Sequence, residues 1–420
     1  MNEYMETNES HRHIWPLAIA AAAHHSADNL KRAALRRVCE HLTTVPFRLR
    51  YWDGATDEFG EGEPQFELTI RDPAVVWPVL CAPDPHFGEA YMHGAIEVDN
   101  LKRLLDALQL AAPPLPGGFH LPPGATPIPR QYKDVQSHYD LGNDFFKLWL
   151  DKSRTYSCAY FRHESDTLET AQTNKIEHVL KKAQLWPGDK LLDIGCGWGA
   201  LIRKAAREHG VCATGITLSR EQRAFVQNAI CEEGLEERAN VQLLDYRELA
   251  GRGETFDRIV SIGMLEHVGR RNLPVFLEAV QKLLKPGGVC VLHFISHDKE
   301  YEVGPWIKRY IFPGGYIPSW REVIALLPEY GFNLIDAESL RRHYARTLAE
   351  WDRRFEAHLS QVRALGFDEP FIRMWRLYLL GCSAGFDAGG LDLHQLFFTS
   401  GINNELAMTR EHIYTDGSTP

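Results

Sequence analysis

The residues best suited to chemistry in this 420-residue chain gather around one glycine-rich turn, Leu192-Asp193-Ile194-Gly195-Cys196-Gly197-Trp198-Gly199. The turn follows a buried-strand run, Lys190–Ile194, and opens a helix from about Ala200. Glycines placed this way permit a tight turn and let backbone amides approach a ligand at the carboxyl end of a strand. The spacing differs from the GxGxxG dinucleotide fingerprint, and no GxxxxGK[ST] phosphate loop occurs. Asp245 falls at the tip of a later strand, Val241–Leu244. The second strand, Cys212–Ile216, instead ends in Thr217-Leu218-Ser219, where many nucleotide-binding folds carry a ribose-binding acid. The eight cysteines, Cys39, Cys81, Cys158, Cys196, Cys212, Cys231, Cys290 and Cys382, include no CxxC pair. They read as reduced thiols of a cytoplasmic protein, not as a disulfide framework or a zinc site.

The elements that must position these residues alternate between strand and helix, the pattern of a parallel sheet. Arg258–Ile262 and Val289–Ile295 are two further strands, and Leu273–Leu284 is a helix stopped by Lys285-Pro286-Gly287-Gly288. Ser219 is the expected N-cap of the helix after the second strand, with Gln222 completing a capping box. Phe312–Ser319 reads as a lid or loop, and two helical patterns and a strand, Leu393–Thr399, follow from about Leu348. The expectation is an open, doubly wound α/β domain over 132–420 with a helical lid or acyl-binding insertion at about 298–390. Residues 112–131 hold seven prolines and three glycines and predict an extended linker. Before it, residues 1–111 predict a small α+β domain with no catalytic constellation. Its expected elements are a helix over Ser26–Leu42, strands at Phe47–Trp52 and Phe66–Ile70, and a helix over Asp99–Leu110 capped by Asp99 or Asn100.

Composition narrows the function classes. With 44% apolar and 24% charged residues the chain is ordinary for a soluble globular protein. Trp15–Ala23 is too short to span a bilayer, and Glu3, Glu6 and Glu9 before it argue against a secretory signal. The net charge is −10, and residues 1–125 hold 10 Lys and Arg against 17 Asp and Glu. Neither part carries the basic stripe of a nucleic-acid binder. Lys31, Arg32, Arg36 and Arg37 would spread over about two-thirds of a helix circumference, as a solvated face or a contact for anionic lipid.

Further stretches carry a resemblance. Val135–Phe146 (VQSHYDLGNDFF), Tyr156–Phe161 (YSCAYF), Gly215–Gln222 (GITLSREQ), Ser261–Val268 (SIGMLEHV), Phe312–Ser319 (FPGGYIPS) and Tyr378–Phe386 (YLLGCSAGF) recur in one family. Together with the glycine turn they resemble the cyclopropane-fatty-acyl-phospholipid synthase family, which includes the mycolic acid cyclopropane synthases. The resemblance covers about residue 131 to the C-terminus; before that it rests mainly on Phe87–Gly94 (FGEAYMHG). It implies a class I S-adenosylmethionine (SAM) methyltransferase fold, Rossmann-like, with a doubly wound, mostly parallel sheet. It also implies methyl transfer from SAM to a cis double bond of a phospholipid acyl chain, then proton loss and ring closure. Such chemistry needs a dry acyl slot, a base and shielding of positive charge.

In this family a bound bicarbonate is taken as the base, with ligands that map onto Cys158, Glu266, His293, the backbone at Ile295, and Tyr344. Cys382 lies in a family motif and has been considered a nucleophile, although this mechanism needs none. The SAM contacts map onto Tyr156, Ser157, Gly195, Gly197, Thr217, Leu218, Gln222, Asp245, Tyr246, Arg247 and Ile262. Tyr139, Phe145, Phe146, Tyr160, Phe161, Tyr310, Phe312 and Tyr316 are aromatics for an acyl slot or for the core. The resemblance further implies a homodimer that meets the membrane peripherally from its inner face, the N-terminal domain docking or dimerising. On their residue types alone, Glu266 fits a helix-start acid, His293 a core histidine, Cys158 an inert thiol and Tyr344 an ordinary aromatic. A related lipid C-methyltransferase giving a branched product, a small-molecule N-methyltransferase and a non-catalytic SAM-binding module are the alternatives.

Overall fold

The computed structural model describes residues 14–42, 44–111 and 141–414. They fall into two compact units, one within residues 1–112 and one within 113–420. The predicted linker, Tyr139 and the start of the VQSHYDLGNDFF stretch lie outside the described residues.

The first unit opens with a helix over Ile14–Cys39, which starts earlier than the expected Ser26. Four short strands follow: β1 (Phe47–Arg50), β2 (Thr56–Phe59), β3 (Glu67–Ile70) and β4 (Ile96–Val98), in the order β2-β1-β3-β4. β2 and β4 were not anticipated: β2 (TDEF) is polar except at its last residue and β4 (IEV) is only three residues long, so neither shows an apolar run. Phe47 holds the sheet's apolar side, stacking on Phe59 at 5.1 Å and Phe66 at 4.9 Å. Asn100 is the residue that caps the helix Leu101–Ala111, accepting from the Arg103 amide, while Asp99 accepts from the Glu67 amide instead. Lys31, Arg32 and Arg36 are each paired with an acid, Asp28, Asp53 and Asp57 respectively, as a solvated face would be.

The second unit is built on seven strands: β5 (Lys190–Ile194), β6 (Cys212–Thr217), β7 (Ala239–Leu243), β8 (Phe256–Ile262), β9 (Leu284–Ser296), β10 (Phe332–Ser339) and β11 (Asp392–Ser400). Their order is β10-β11-β9-β8-β5-β6-β7. β5 to β9 run parallel, and β11 lies antiparallel between β9 and β10. Neighbouring strand residues feed opposite faces: Leu192 packs with Leu277 and Val280, Leu191 with Val179 and Ile202. Both faces are therefore covered by helices, which explains the unbroken apolar runs. From β5 the chain steps outward through β6 and β7, then returns to β8 on the other side of β5. That reversal opens a crevice at the carboxyl ends of β5 and β8, where such sheets bind ligands.

Three local expectations are corrected. The insertion over 298–390 is not wholly helical, since it contains β10. That strand is an edge strand with mostly solvated side chains, so its sequence carries no buried run. Ser219 does cap its helix, accepting from the Gln222 amide at 3.2 Å, but the reciprocal bond is missing because the Gln222 side chain serves Thr217. The complete capping box is elsewhere, between Ser319 and Glu322. Finally, β9 begins at Leu284 and runs through the glycine pair that was expected to precede it.

Candidate active site

The crevice is a cleft enclosing about 1120 Å³, its open mouth included. Gly195 and Gly197 after β5, Thr217 at the end of β6 and Leu218 after it, Asp245 and Tyr246 after β7, and Ile262 at the end of β8 all line it, with Gln222, Tyr156 and Ser157. Arg247 does not; its guanidinium holds Asp245 through two bonds of 2.8 Å.

Local chemistry shapes each wall. Gly195 has φ +87, and a Cβ there would stand 2.8 Å from Met264 Cγ, so only glycine lets the turn close under β8. Gly199 starts the following helix in the left-handed region at φ +75, where a Cβ would sit 2.6 Å from Val226 Cγ1. At the end of β6 the missing acid is replaced by a pair: the Thr217 hydroxyl donates to Gln222 Oε1 at 2.7 Å. That leaves the Gln222 amide group's donors for a ligand. The Ser153–Ser157 strip is pinned from two sides. Asp151 accepts from the Ser153 and Thr155 amides, and Gln172 donates to the Thr155 and Ser157 carbonyls.

Two charged residues of the cleft, Asp193 and Lys175, were not foreseen as ligand contacts. Asp193 is buried, with Oδ1 unpartnered, and burial pushes its carboxyl up to about 7 against the opposing charge of Lys175. Lys175, equally buried, donates to Ser157 Oγ at 3.0 Å, and burial holds its ammonium down at about 8. Its sequence signal is a polar row at helical spacing, Gln172, Lys175, His178 and Lys182, all buried on the helix Leu168–Ala183. Met264, Trp198, His267 and Arg154 are among the other lining residues that were not foreseen. A carboxyl raised by burial to about 7 makes a pH response of ligand binding the expected outcome. Affinity for SAM, which carries an ammonium and a sulfonium, is expected to weaken by up to about tenfold per unit as pH falls below about 7. Calorimetric titration from pH 5.5 to 8.5 should show that slope in the wild type and its flattening in Asp193→Asn.

A second group of polar residues lies beyond the cleft lining. Glu266 follows β8, and its Oε1 accepts from the Ile295 amide on β9 at 2.6 Å. Its Oε2 is inaccessible and unpartnered, and burial raises the carboxyl to about 7. His293, in the middle of the sheet on β9, is 1% exposed. Its Nδ1 meets Gln395 Nε2 at 3.0 Å, whereas Nε2 has no partner. Tyr344 arrives from the helix Arg341–Ala357. Burial, then the neighbouring Tyr156, Cys158, Glu266 and Cys382, all push its hydroxyl pKa up. The Tyr156 and Tyr378 hydroxyls stand 2.7 Å apart. Cys158 is fully buried, its thiol donating to the Ala159 carbonyl, with burial raising its pKa. Burial likewise pushes the Cys382 thiol up to about 12, which disfavours the thiolate form. Around this group stand rings: Tyr156 with Trp351 at 5.2 Å, Tyr344 with Phe386 at 4.7 Å, and Phe312 with Tyr378 at 5.7 Å. The loop carrying Phe312 is tied to the site, since the Tyr316 amide donates to the Glu266 carbonyl at 2.9 Å.

The anticipated slot aromatics are spread over several packing groups, and Phe146 also packs on the cleft residues Tyr156 at 5.5 Å and Trp198 at 5.4 Å. Phe145 and Phe146 belong to a packed aromatic core with Trp149 and Trp375. Tyr160 stacks between His178 and His343, Phe161 lies under Arg346, and Tyr310 packs on Trp306. Tyr316 is buried and donates to Glu322.

Comparison with known proteins gives the following. The mycolic acid cyclopropane synthetase family matches residues 128–396, and a domain of unknown function (DUF7884) matches residues 34–111. A probable fatty acid methyltransferase of Pseudomonas putida is 36% identical over 391 residues, covering 88% of this chain and 96% of that protein. The cyclopropane-fatty-acyl-phospholipid synthase of Escherichia coli (strain K12) is 36% identical over 371 residues, covering 83% and 92%. Among solved structures, mycolic acid cyclopropane synthase CmaA1 complexed with SAH and CTAB is similar with a TM-score of 0.60 at 36% identity. That match covers 64% of this chain and 98% of CmaA1.

Proposed function

The chain belongs to the mycolic acid cyclopropane synthetase family and is a SAM-dependent methyltransferase of the class I fold; from that premise we propose that it converts the cis double bond of unsaturated phospholipid acyl chains into a cyclopropane, with bicarbonate as the bound base. One observation carries the choice of chemistry. Glu266 Oε2 and His293 Nε2 are both buried and unpartnered, and Tyr344 lies near both Glu266 and Cys158. Unmet polar atoms in such a place call for a small, hydrogen-bonding ligand, which methylation of an amine lone pair does not require.

SAM supplies an electrophilic methyl group and bicarbonate supplies a small base. The chain's own residues do the rest. Gly195 keeps the cleft wall thin, and Thr217 orients the Gln222 amide towards a hydroxylated ligand. Asp193, with its free oxygen, suits an ammonium group. Glu266, held through Oε1, presents Oε2 to the anion's hydroxyl and raises its basicity. The rings of Tyr156, Trp351, Tyr344 and Phe312 exclude water, which would otherwise capture a carbocation, and their faces tolerate positive charge. In this reading the enzyme is a cytoplasmic homodimer that meets the membrane from its inner face, with residues 1–111 docking or dimerising. No helix among the described residues is long and apolar enough to cross a membrane.

The decisive experiment incubates the purified protein with SAM, bicarbonate and vesicles of monounsaturated phospholipid, and analyses the lipids by mass spectrometry. Acyl chains heavier by one CH2 and resistant to ozonolysis are expected. The same gain in chains that ozone still cleaves would mark a methyl branch, the reading that the name of the Pseudomonas putida relative favours. No gain, with SAM binding confirmed separately, would overturn the lipid reading.

A further inference from the structure

We propose that Gln395 is a positioning residue that holds His293 in one neutral tautomer, so that the histidine offers Nε2–H as a hydrogen-bond donor at the proposed anion site. The bicarbonate reading above is needed only to say what that donor meets. β11 and β9 are antiparallel, and Gln395 stands directly opposite His293 in their register. Side chains of such a pair share one face of the sheet. Gln395 is 0% and His293 1% exposed, so neither can turn to water for a partner.

The direction of the bond then decides the chemistry. Gln395 Nε2 lies 3.0 Å from His293 Nδ1. With the Gln395 amide turned so that Nε2 faces the ring and its buried Oε1 is left without a partner, the amide donates and Nδ1 is the bare, accepting nitrogen. A neutral imidazole has a single ring proton, which therefore resides on Nε2. Burial, followed by the charges of Lys175, Lys182 and His178, keeps the ring from taking a second proton. The result is a buried N–H with no acceptor of its own, two residues along β9 from Ile295, whose amide holds Glu266 with its Oε2 likewise unmet. Donor and acceptor together match the two sides of a hydrogen carbonate ion. A glutamate at 395 would instead accept from Nδ1–H, move the proton away from Nε2 and present a lone pair to an anion. The amide is thus what makes His293 a donor.

The test uses the full-length enzyme labelled with 15N-histidine, the His293 signals being assigned by difference against His293→Asn. Long-range 1H–15N correlation spectra should show the wild-type ring protonated at Nε2 and not titrating between pH 5.5 and 8.5. A ring protonated at Nδ1 would overturn the proposal without any variant having to fold. Gln395→Leu should give mixed tautomers and raise the bicarbonate concentration for half-maximal turnover at least about tenfold, with SAM affinity unchanged. Gln395→Glu should reverse the tautomer. Lower thermal stability in both variants, with tautomer and bicarbonate response intact, would reduce Gln395 to a structural role and sink the proposal. If the wild-type tautomer is as expected but turnover ignores bicarbonate, the bicarbonate reading falls while the positioning of His293 stands.

Discussion

Glu266→Gln is expected to lower turnover on monounsaturated vesicles by on the order of 10³-fold, the usual scale for losing a positioned base partner or charge-stabilising group. The wild-type Oε1 accepts from the Ile295 amide, and that bond survives through the glutamine oxygen. The amide nitrogen then occupies the place of Oε2, so a donor replaces the acceptor and the negative charge is gone. SAM affinity should stay within about twofold of wild type, because Glu266 is not among the residues lining the cleft. Thermal stability should hold or rise. A glutamate raised by burial to about 7 ionises at a cost to the folded state, so it stabilises least above that pH, and glutamine removes the cost. Wild-type turnover in the variant would remove Glu266 from the site.

Gly195→Ala should fail one step earlier, at cofactor binding. An L-residue at φ +87 is strained by about 1–2 kcal/mol. Its methyl group would also press on Met264, which lines the same cleft, at 2.8 Å from Cγ. Crowding of that kind costs about 1–3 kcal/mol. Part of the cost falls on folding, and the remainder should weaken SAM binding by at least about tenfold, or about 1.4 kcal/mol. Calorimetric titration reads it directly, and a dissociation constant unchanged from wild type would mean that the turn does not touch the ligand. The two variants separate the sites: Gly195→Ala loses SAM, whereas Glu266→Gln keeps it and loses turnover.

Legibility in the sequence followed burial and length. β5 is recovered to the residue, because after the exposed Lys190 its remaining four residues are all buried and, Asp193 apart, apolar. The glycine turn, the Ser219 cap and the strand ends at Thr217 and Asp245 were also readable, since each is a local device whose residues are neighbours in the chain. β10 was missed because an edge strand half in solvent shows neither an apolar run nor a clean alternation. The capping box was placed at Ser219 when it belongs to Ser319. Both stretches have the right spacing, and a third residue, Thr217, took the side chain the first one needed.

The amino-acid sequence by itself determined the fold class, the cofactor cleft and, through the matching motifs, the family. These rest on periodicity and on short runs whose chemistry is complete within about ten residues. What tertiary structure decided is how the reacting groups are set. Lys175 became a cleft residue because its helix packs a polar row against the sheet. The Ile295 amide binds Glu266 because β8 and β9 end side by side. His293 met Gln395, 102 positions away, only because β11 runs antiparallel beside β9 and brings the two into register. No local pattern can encode that pairing, since its energy comes from strand order and burial, which exist only once the sheet has closed.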